Sequence, residues 1–288
     1  MCIDSLFSEQ ELLVRQTARR FVDERVLPVI KEHFRAATFP KELIAEMGQL
    51  GFFGANLEGY GCAGMSNVEY GLVMQEVERG DSGLRSFVSV QGALVMYPIL
   101  SYGSDEQKEK WLPLLQSGKA VGCFGLTEPD FGSNPAGMRT TARRDGADWV
   151  LNGEKTWITN GSAADIAIVW ARAGDGVVYG YLVERGTPGY TTSDIHGKWS
   201  MRASVTSSLS FADRQSVNMI GALVRFDGFQ IAEVAHDGIF VGDSVGAQQI
   251  AAEAGTVQRH RHVIALEHGN VRRFELAAVL QAAGLHGE

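Results

Sequence analysis

Two short blocks hold the residues best suited to bind a flat, partly polar ligand. The first, residues 124–133, reads Phe-Gly-Leu-Thr-Glu-Pro-Asp-Phe-Gly-Ser and places small residues and hydroxyls at a bend. Glycine there lets backbone amides approach a ligand closely. The second, residues 157–160, reads Trp-Ile-Thr-Asn and sets an indole beside a hydroxyl at the end of a strand-like stretch. Because a planar ring needs apolar surface for its faces and fixed donors for its edge, the two blocks predict a site for such a ring.

A third group, Glu78, Arg85 and Ser86, has the chemistry of a carboxylate site. An arginine fork together with a hydroxyl holds a carboxylate bidentately, and a nearby glutamate orients the arginine. The alternative is a surface Glu–Arg pair after a helix end, which contributes little to stability.

The elements before these blocks have a helical pattern, and residues 1–118 are predicted to form an all-α domain. Three capping boxes mark helix starts, and glycines mark the stops. In the first helix, apolar residues recur at helical spacing as far as Pro28, and residues 86–101 are apolar and long enough for a buried helix. The capping boxes pair Ser8 with Glu11, Ser66 with Glu69 and Ser104 with Gln107.

After Gly118 the pattern changes to short strands, and residues 119–213 are predicted to form a small β-barrel or sandwich. Asp145-Gly146 is a hairpin signal, and Gly174-Asp175-Gly176 separates two further strand-like stretches. The fold class is therefore α+β, with both blocks on the β domain. Residues 214–288 form an atypical tail, which lacks Lys, Pro, Trp, Tyr and Cys.

The composition is that of a water-soluble globular protein, with 45% hydrophobic and 21% charged residues in a chain of 288. A net charge of −8 argues against a nucleic-acid partner, which requires a basic surface. No stretch approaches the ~18 apolar residues that span a bilayer, and the N-terminus lacks a signal-peptide pattern, so no membrane partner is expected. The three cysteines show no disulfide or CxxC spacing, which favours a cytoplasmic location.

Together with Gly-Lys-Trp-Ser-Met-Arg-Ala-Ser at residues 197–204, the two blocks resemble the flavin-binding signatures of acyl-CoA dehydrogenases. The resemblance covers roughly residues 8–212, and several motifs occur in order with matching intervals. Within the family the chain is most similar to glutaryl-CoA dehydrogenase, through residues 76–86, residues 89–99 and the first block. The resemblance implies FAD as cofactor, an acyl-CoA substrate and an electron-transfer flavoprotein as electron acceptor.

The resemblance also implies roles for single residues. Thr127, with the backbone of Leu126, is expected to bind the pyrimidine edge of the isoalloxazine, and Thr159 to donate near N5, the hydride acceptor. Trp157 would pack beside the ring, and Ser133 would lie near the pyrophosphate and the acyl-CoA tail. Taken alone, Trp157 reads as a core aromatic and Thr127 as a turn-stabilising hydroxyl, but the joint pattern favours the flavin. The predicted cofactor-binding residues are Phe124, Leu126, Thr127, Ser133, Trp157, Ile158 and Thr159.

In glutaryl-CoA dehydrogenases the positions that match the third group surround the distal carboxylate of a dicarboxylic acyl chain. The resemblance therefore implies a short dicarboxylyl-CoA as substrate. The reaction it implies removes an α-proton while a β-hydride leaves for flavin N5, and decarboxylation then gives crotonyl-CoA. The predicted substrate-binding residues are Glu78, Arg85, Ser86 and Ser133.

Some features depart from the family pattern. Asp130-Phe131 stands where small or polar residues are usual, and Asn134 replaces an Asp, so an altered flavin affinity is expected. After residue 212 the family continues into a helical bundle that supplies the catalytic glutamate and builds a tetramer. Its motifs are not recognisable here, so the catalytic residue stays unknown and a homo-oligomer is doubtful. The glutamates of the tail are Glu233, Glu253, Glu267, Glu275 and Glu288.

Other interpretations stay open at the level of sequence. The tail predicts a truncated or frameshifted copy of a longer enzyme, which would bind FAD and turn over little. A non-catalytic flavin- or acyl-CoA-binding relative, or a helical scaffold, is the main alternative to an enzyme. A relative resembling flavin monooxygenases or nitroalkane oxidases is a weaker one. His260, His262 and His268 match no standard zinc spacing, so no metal is predicted.

Overall fold

The computed structural model describes residues 3–146, 148–212, 217–219, 262–267 and 270–275. The chain divides into two compact units, residues 1–223 and residues 224–288. In the first unit a helical part precedes a sheet, which confirms the predicted α+β class. The predicted boundaries of the domains at residues 118 and 213 stay predictions.

The helical part follows the local signals of the sequence. All three capping boxes are formed: the hydroxyls of Ser8, Ser66 and Ser104 each accept a hydrogen bond from the backbone N–H three residues on. Short 3₁₀ turns lie at Ile3–Leu6 and Lys41–Leu43. The α-helices of the described part are α1 (Glu9–Phe21), α2 (Leu27–Ala36), α3 (Ile44–Gln49), α4 (Asn67–Gly80), α5 (Ser82–Ser89), α6 (Tyr97–Tyr102) and α7 (Asp105–Gln116).

Pro28 does not end the first helical stretch. A π-helical turn at Val22–Val26 follows α1 directly, and Pro28 then lies in the first turn of α2. Proline is tolerated there because the N–H groups of a first turn have no partner within the helix. The helical path therefore continues to Ala36, and Ala37 ends it in the left-handed conformation with φ 55°.

A continuous helical path runs from Ser82 to Tyr102, with a π-helical segment at Val90–Met96 between α5 and α6. By length and composition this path could cross a membrane, but most of it is buried inside the fold, as in the core helix of a soluble protein. It contains the apolar stretch that the sequence predicts as a buried helix. The cytoplasmic location stays a prediction.

Eight strands of the described part form one sheet, in the order β6-β7-β3-β2-β4-β5-β8, with β1 paired in parallel to β4. Both predicted hairpins are present, as the antiparallel pairs β2–β3 and β4–β5. Side chains such as Leu151, Tyr181 and Leu209 fill the core of the sheet. The strands are β1 (Gly122–Gly125), β2 (Thr141–Asp145), β3 (Asp148–Thr159), β4 (Ile166–Arg172), β5 (Val178–Glu184), β6 (Tyr190–Asp194), β7 (Thr206–Phe211) and β8 (Asn218–Met219).

Gln91, in the π-helical segment, fixes β1 against the helices. Its buried side-chain amide donates to the carbonyls of Leu115 at 2.9 Å and Ala120 at 2.8 Å. Its side-chain oxygen accepts from the Gly122 N–H at 2.8 Å. Gly122 itself packs tightly, since an added Cβ would meet Cγ1 of Val95 at 2.4 Å. The strand that leads into the first block is therefore held in place by the helical part.

The described residues of the second unit form an antiparallel pair, β9 (His262–Glu267) and β10 (Asn270–Glu275). His262 and the glutamates Glu267 and Glu275 lie at the ends of these strands. His260, His268 and the other three glutamates of the tail lie outside the described residues.

Candidate functional site

The first block begins within β1, and β3 holds it from the side. Nζ of Lys155 donates to the Leu126 carbonyl at 3.1 Å, and the backbone N–H of Thr156 donates to the Thr127 carbonyl at 2.9 Å. Two consecutive peptide groups of the first block are thus bound to the residues just before Trp157. The fold brings together two blocks that are distant in sequence.

The second block begins at a β-bulge. The pairing of β3 with β7 shifts between Lys155 and Ile158, and Trp157 there has φ 60°, in the left-handed region. A bulge re-aims a side chain, and the left-handed conformation is unfavourable for a bulky residue. The indole is 62% exposed, so the interpretation of Trp157 as a core aromatic is wrong. Backbone strain beneath an exposed indole is typical of a ligand-binding position.

The following residues anchor this strand end. Ile158 is buried in the core of the sheet, and the partly buried Thr159 pairs with Thr206 of β7. Asn160 is left-handed with φ 68°, and its buried side-chain amide donates to the Gly122 carbonyl at 3.2 Å. The end of β3 is therefore fixed both to β7 and to the start of β1.

Four polar groups of the predicted site have no partner within the described ranges. The hydroxyls of Thr127, Thr159 and Ser133 and the indole N–H of Trp157 make no hydrogen bond to another described residue. Thr127 and Thr159 are partly buried, and Ser133 is exposed. Phe124, also partly buried, packs within the sheet instead, since its ring meets that of Trp170 edge-on at 5.9 Å. Two partly buried hydroxyls beside an exposed indole fit a planar ring with polar edges.

Glu128 closes the loop that carries Ser133. Its carboxylate accepts from the backbone N–H groups of Arg139 at 2.6 Å and Thr140 at 2.9 Å, and pairs with Nζ of Lys155 at 2.8 Å. Burial alone raises the pKa of Glu128, but these donors outweigh it and hold the pKa below its usual value. Burial lowers the pKa of Lys155, and Glu128 offsets part of that effect.

The unusual residues of this loop contact the loop itself. The Phe131 ring occupies the space beside Gly137, where an added Cβ would meet it at 2.3 Å, and Arg139 lies 5.3 Å from the ring centroid. Asp130 pairs with Arg139 at 3.3 Å. The Asn134 carbonyl accepts from the Gly137 N–H at 3.1 Å. These residues shape the loop locally, and the altered flavin affinity stays a prediction.

The third group lies where α4 passes into α5. Nε of Arg85 donates to Glu78 at 2.7 Å, the Ser82 hydroxyl donates to the other carboxylate oxygen at 2.5 Å, and Nη1 of Arg85 donates to the Ser89 hydroxyl at 3.3 Å. The Arg85 guanidinium and the Ser82 hydroxyl hold the pKa of Glu78 below its usual value. Both members of the ion pair are over a third exposed, so the pair orients the guanidinium and adds little to stability.

Arg85 retains donors for a ligand. Within the ranges that the structure describes, its Nη2 and the Ser86 hydroxyl make no hydrogen bond. Tyr70 lies near enough for the guanidinium to act on its phenol, although burial dominates and raises the pKa of Tyr70. A guanidinium edge beside hydroxyl groups suits a carboxylate ligand.

The segment before β7, residues 198–204, contacts both the helix of the third group and the strand that pairs with the second block. Nζ of Lys198 donates to the Ser204 carbonyl at 2.6 Å and to the Thr206 hydroxyl at 2.7 Å. At the start of α5, an added Cβ on Gly83 would meet the Cβ of Ser204 at 3.0 Å. Because Thr206 pairs with Thr159, this segment links the helix of the third group to the strand of the second block.

Sequence reasoning missed Lys155, Tyr70 and Lys198, and gave Glu128 no role of its own. The sequence offered one signal for Lys155: it is a single lysine in a predicted strand, and the first block contains a glutamate that could pair with it. We assign no catalytic base among the described residues. The described residues also hold no cluster of side chains suited to a metal ion.

Two protein-family models match the chain. They are the acyl-CoA dehydrogenase N-terminal domain over residues 8–119 and the acyl-CoA dehydrogenase middle domain over residues 123–214. The short-chain specific acyl-CoA dehydrogenase of Bos taurus is 36% identical over 212 residues, which cover 72% of this chain and 52% of the relative. The chain thus spans about half the length of this curated relative.

Solved structures of acyl-CoA dehydrogenases are similar to this chain. A glutaryl-CoA dehydrogenase from Mycobacterium smegmatis in complex with FADH2 has 55% identity and a TM-score of 0.74, over 76% of this chain and 57% of that chain. Butyryl-CoA dehydrogenase from Megasphaera elsdenii has 33% identity and a TM-score of 0.70, over 75% of this chain and 59% of that chain.

Proposed function

Because this chain belongs to the acyl-CoA dehydrogenase family, we propose that it binds FAD and a short acyl-CoA for α,β-oxidation, with glutaryl-CoA as the substrate. The FADH2 complex among the similar structures supports FAD as the cofactor. The observation that carries the proposal is the joining of the two blocks: Lys155 and Thr156 bind the Leu126 and Thr127 carbonyls beside the exposed Trp157.

FAD, when bound, supplies the acceptor for the hydride that leaves the β-carbon of the acyl chain. The Thr127 hydroxyl and the backbone of Leu126 would hold the polar edge of its ring, and the Thr159 hydroxyl would donate near the hydride-accepting atom. Trp157 would pack beside the ring. Donors that are fixed before binding stabilise developing negative charge without reorganisation.

Arg85 selects a dicarboxylic acyl chain in this proposal. Glu78 fixes the guanidinium through Nε and leaves Nη2 for the distal carboxylate of glutaryl-CoA, with Ser86 as a second donor. Oxidation followed by loss of CO₂ from that carboxylate gives crotonyl-CoA. The similarity to butyryl-CoA and short-chain dehydrogenases supports a monocarboxylic acyl chain as the competing substrate.

Removal of the α-proton needs a base, which typically contributes ~10²–10⁴-fold to the rate. We assign none within the described ranges. Full turnover is therefore expected only where residues beyond those ranges, or a partner chain, supply one. The electrons then pass to an electron-transfer flavoprotein, the acceptor that the family resemblance implies.

The test is anaerobic titration of the FAD-loaded chain with glutaryl-CoA and butyryl-CoA, measuring both bound ligand and bleaching of the flavin band. Arg85→Lys keeps the charge and loses the fork, so glutaryl-CoA affinity should fall about 10- to 150-fold, from the ~1.5–3 kcal/mol of a charged hydrogen bond. Butyryl-CoA affinity should stay unchanged. Arg35→Lys, which alters an exposed pair with Glu32 on α2, is the matched control. Equal losses for both ligands would contradict the assignment of Arg85.

A non-catalytic flavin- or acyl-CoA-binding relative is the second candidate. It is favoured by one observation, that the described residues provide no assignable base. Binding of FAD and glutaryl-CoA without bleaching would support this candidate. Bleaching would exclude this candidate, because reduction of the flavin requires the α-proton and the β-hydride to leave the substrate together.

A further inference from the structure

The ion pair between Lys155 and Glu128 is buried beneath the predicted flavin loop. Lys155 is fully buried and Glu128 is 5% exposed, with Nζ 2.8 Å from the carboxylate. We propose that this pair is a positioning device for the flavin-binding loop: it holds the Leu126–Thr127 peptides and both ends of the Ser133 loop in their binding conformation. The inference rests on the proposed function.

Two separate parts of the loop depend on the pair. The Lys155 ammonium also donates to the Leu126 carbonyl at 3.1 Å, directly before Thr127. The Glu128 carboxylate accepts from the backbone N–H groups of Arg139 and Thr140 on the far side of the loop. One lysine and one carboxylate therefore fix the start of the loop and its end.

Stability alone does not account for a charged pair at this place. Removing two charges from water is costly, and apolar residues of similar volume often replace a buried pair without loss of stability. The stem of the Lys155 side chain lies in apolar surroundings. A Cβ added to Gly125 would lie 3.4 Å from Cγ of Lys155 and 3.3 Å from Cδ1 of Leu209. A methionine would fill this space, but it has no N–H to hold the Leu126 carbonyl.

The pair acts on the ligand through the peptides that it holds. The Lys155 ammonium and the Thr156 N–H bind two successive carbonyls, which sets the orientation of the Thr127 N–H. Without these bonds, the flavin would have to order one or two backbone residues on binding. The conformational entropy of that ordering corresponds to roughly 10- to 100-fold weaker affinity.

The experiment compares the full chain with Lys155→Met, Glu128→Gln and the double variant. FAD affinity is measured by fluorescence titration of the flavin-free protein, and the melting temperature without flavin is measured in parallel. Each single variant should bind FAD more weakly, and Lys155→Met should lose roughly 10- to 100-fold. In the double variant the melting temperature should recover towards the wild-type value because no unpaired charge is buried, while FAD binding stays weak.

Two controls separate positioning from general destabilisation. Lys110→Met removes the same side chain from an exposed ion pair with Glu184 on α7 and β5, and should leave FAD affinity unchanged. Leu151→Ala opens a cavity in the buried core of β3. It should lower the melting temperature and leave FAD affinity unchanged below that temperature.

A double variant that binds FAD as tightly as the wild-type chain would overturn the positioning role and leave the proposed function standing. A wild-type chain that binds no FAD would overturn both. Glu128→Gln keeps the size of the side chain and one acceptor, so it provides the same comparison if Lys155→Met fails to fold.

Discussion

The left-handed backbone at Trp157 predicts an order of stabilities opposite to that of an ordinary strand position. At φ 60° a residue with a Cβ is strained by about 1–2 kcal/mol, whereas glycine is not. The greater freedom of glycine in the unfolded chain costs about 0.5–1 kcal/mol. The midpoints of the two ranges leave Trp157→Gly more stable than Trp157→Ala by about 0.75 kcal/mol. Comparing these two variants cancels the burial lost with the indole, which is 62% exposed.

Denaturant unfolding of both variants, without flavin, measures this difference. Asn152 is an exposed position on the same strand with a regular partner in β2, and it provides the control. There the order should reverse, with Asn152→Ala more stable than Asn152→Gly by about 0.5–1 kcal/mol. If Ala were the more stable residue at both positions, the argument from backbone strain would be wrong.

The same two variants test why the strain is kept. Both remove the indole and should weaken FAD binding by roughly 2- to 12-fold, from the ~0.5–1.5 kcal/mol of an aromatic contact beyond its buried area. Unchanged affinity in both would mean that Trp157 does not contact the ring.

Two further predictions concern the framework of the site. Burial raises the pKa of Glu76, but Arg19 and Arg79 outweigh it and hold the pKa below its usual value. The stability that this carboxylate provides is therefore present above pH ~4.3 and lost as the pH falls through its folded pKa. Glu76→Gln should lower the free energy of unfolding by about 1–3 kcal/mol at pH 7 and weaken its fall with decreasing pH. If the free energies of the variant and the wild-type chain fell in parallel with pH, this argument would be wrong. Gly122→Ala forces a Cβ to 2.4 Å from Val95 and should cost about 1–3 kcal/mol in denaturant unfolding. Val95→Ala in the same chain should restore part of this loss, and strictly additive losses would refute the packing argument.

Local signals predicted the helices well because each depends on residues a few positions apart. The Ser66–Glu69 box is an example: both of its hydrogen bonds join residues three apart and form wherever the helix begins. The apolar spacing extends only as far as Pro28, whereas the helical path continues to Ala36, because the preceding π-helical turn places Pro28 in the first turn of α2.

The sequence by itself determined the α+β order of the chain, its capping boxes and hairpins, and the residue types of the two blocks. Tertiary structure alone decided which contacts join the two blocks, because the bonds from Lys155 to Leu126 and Glu128 cross between a strand and a loop distant in the chain. It also decided that the Trp157 indole is exposed. A bulge arises from a one-residue mismatch between two paired strands, and no periodicity within a single strand encodes the register of its partner.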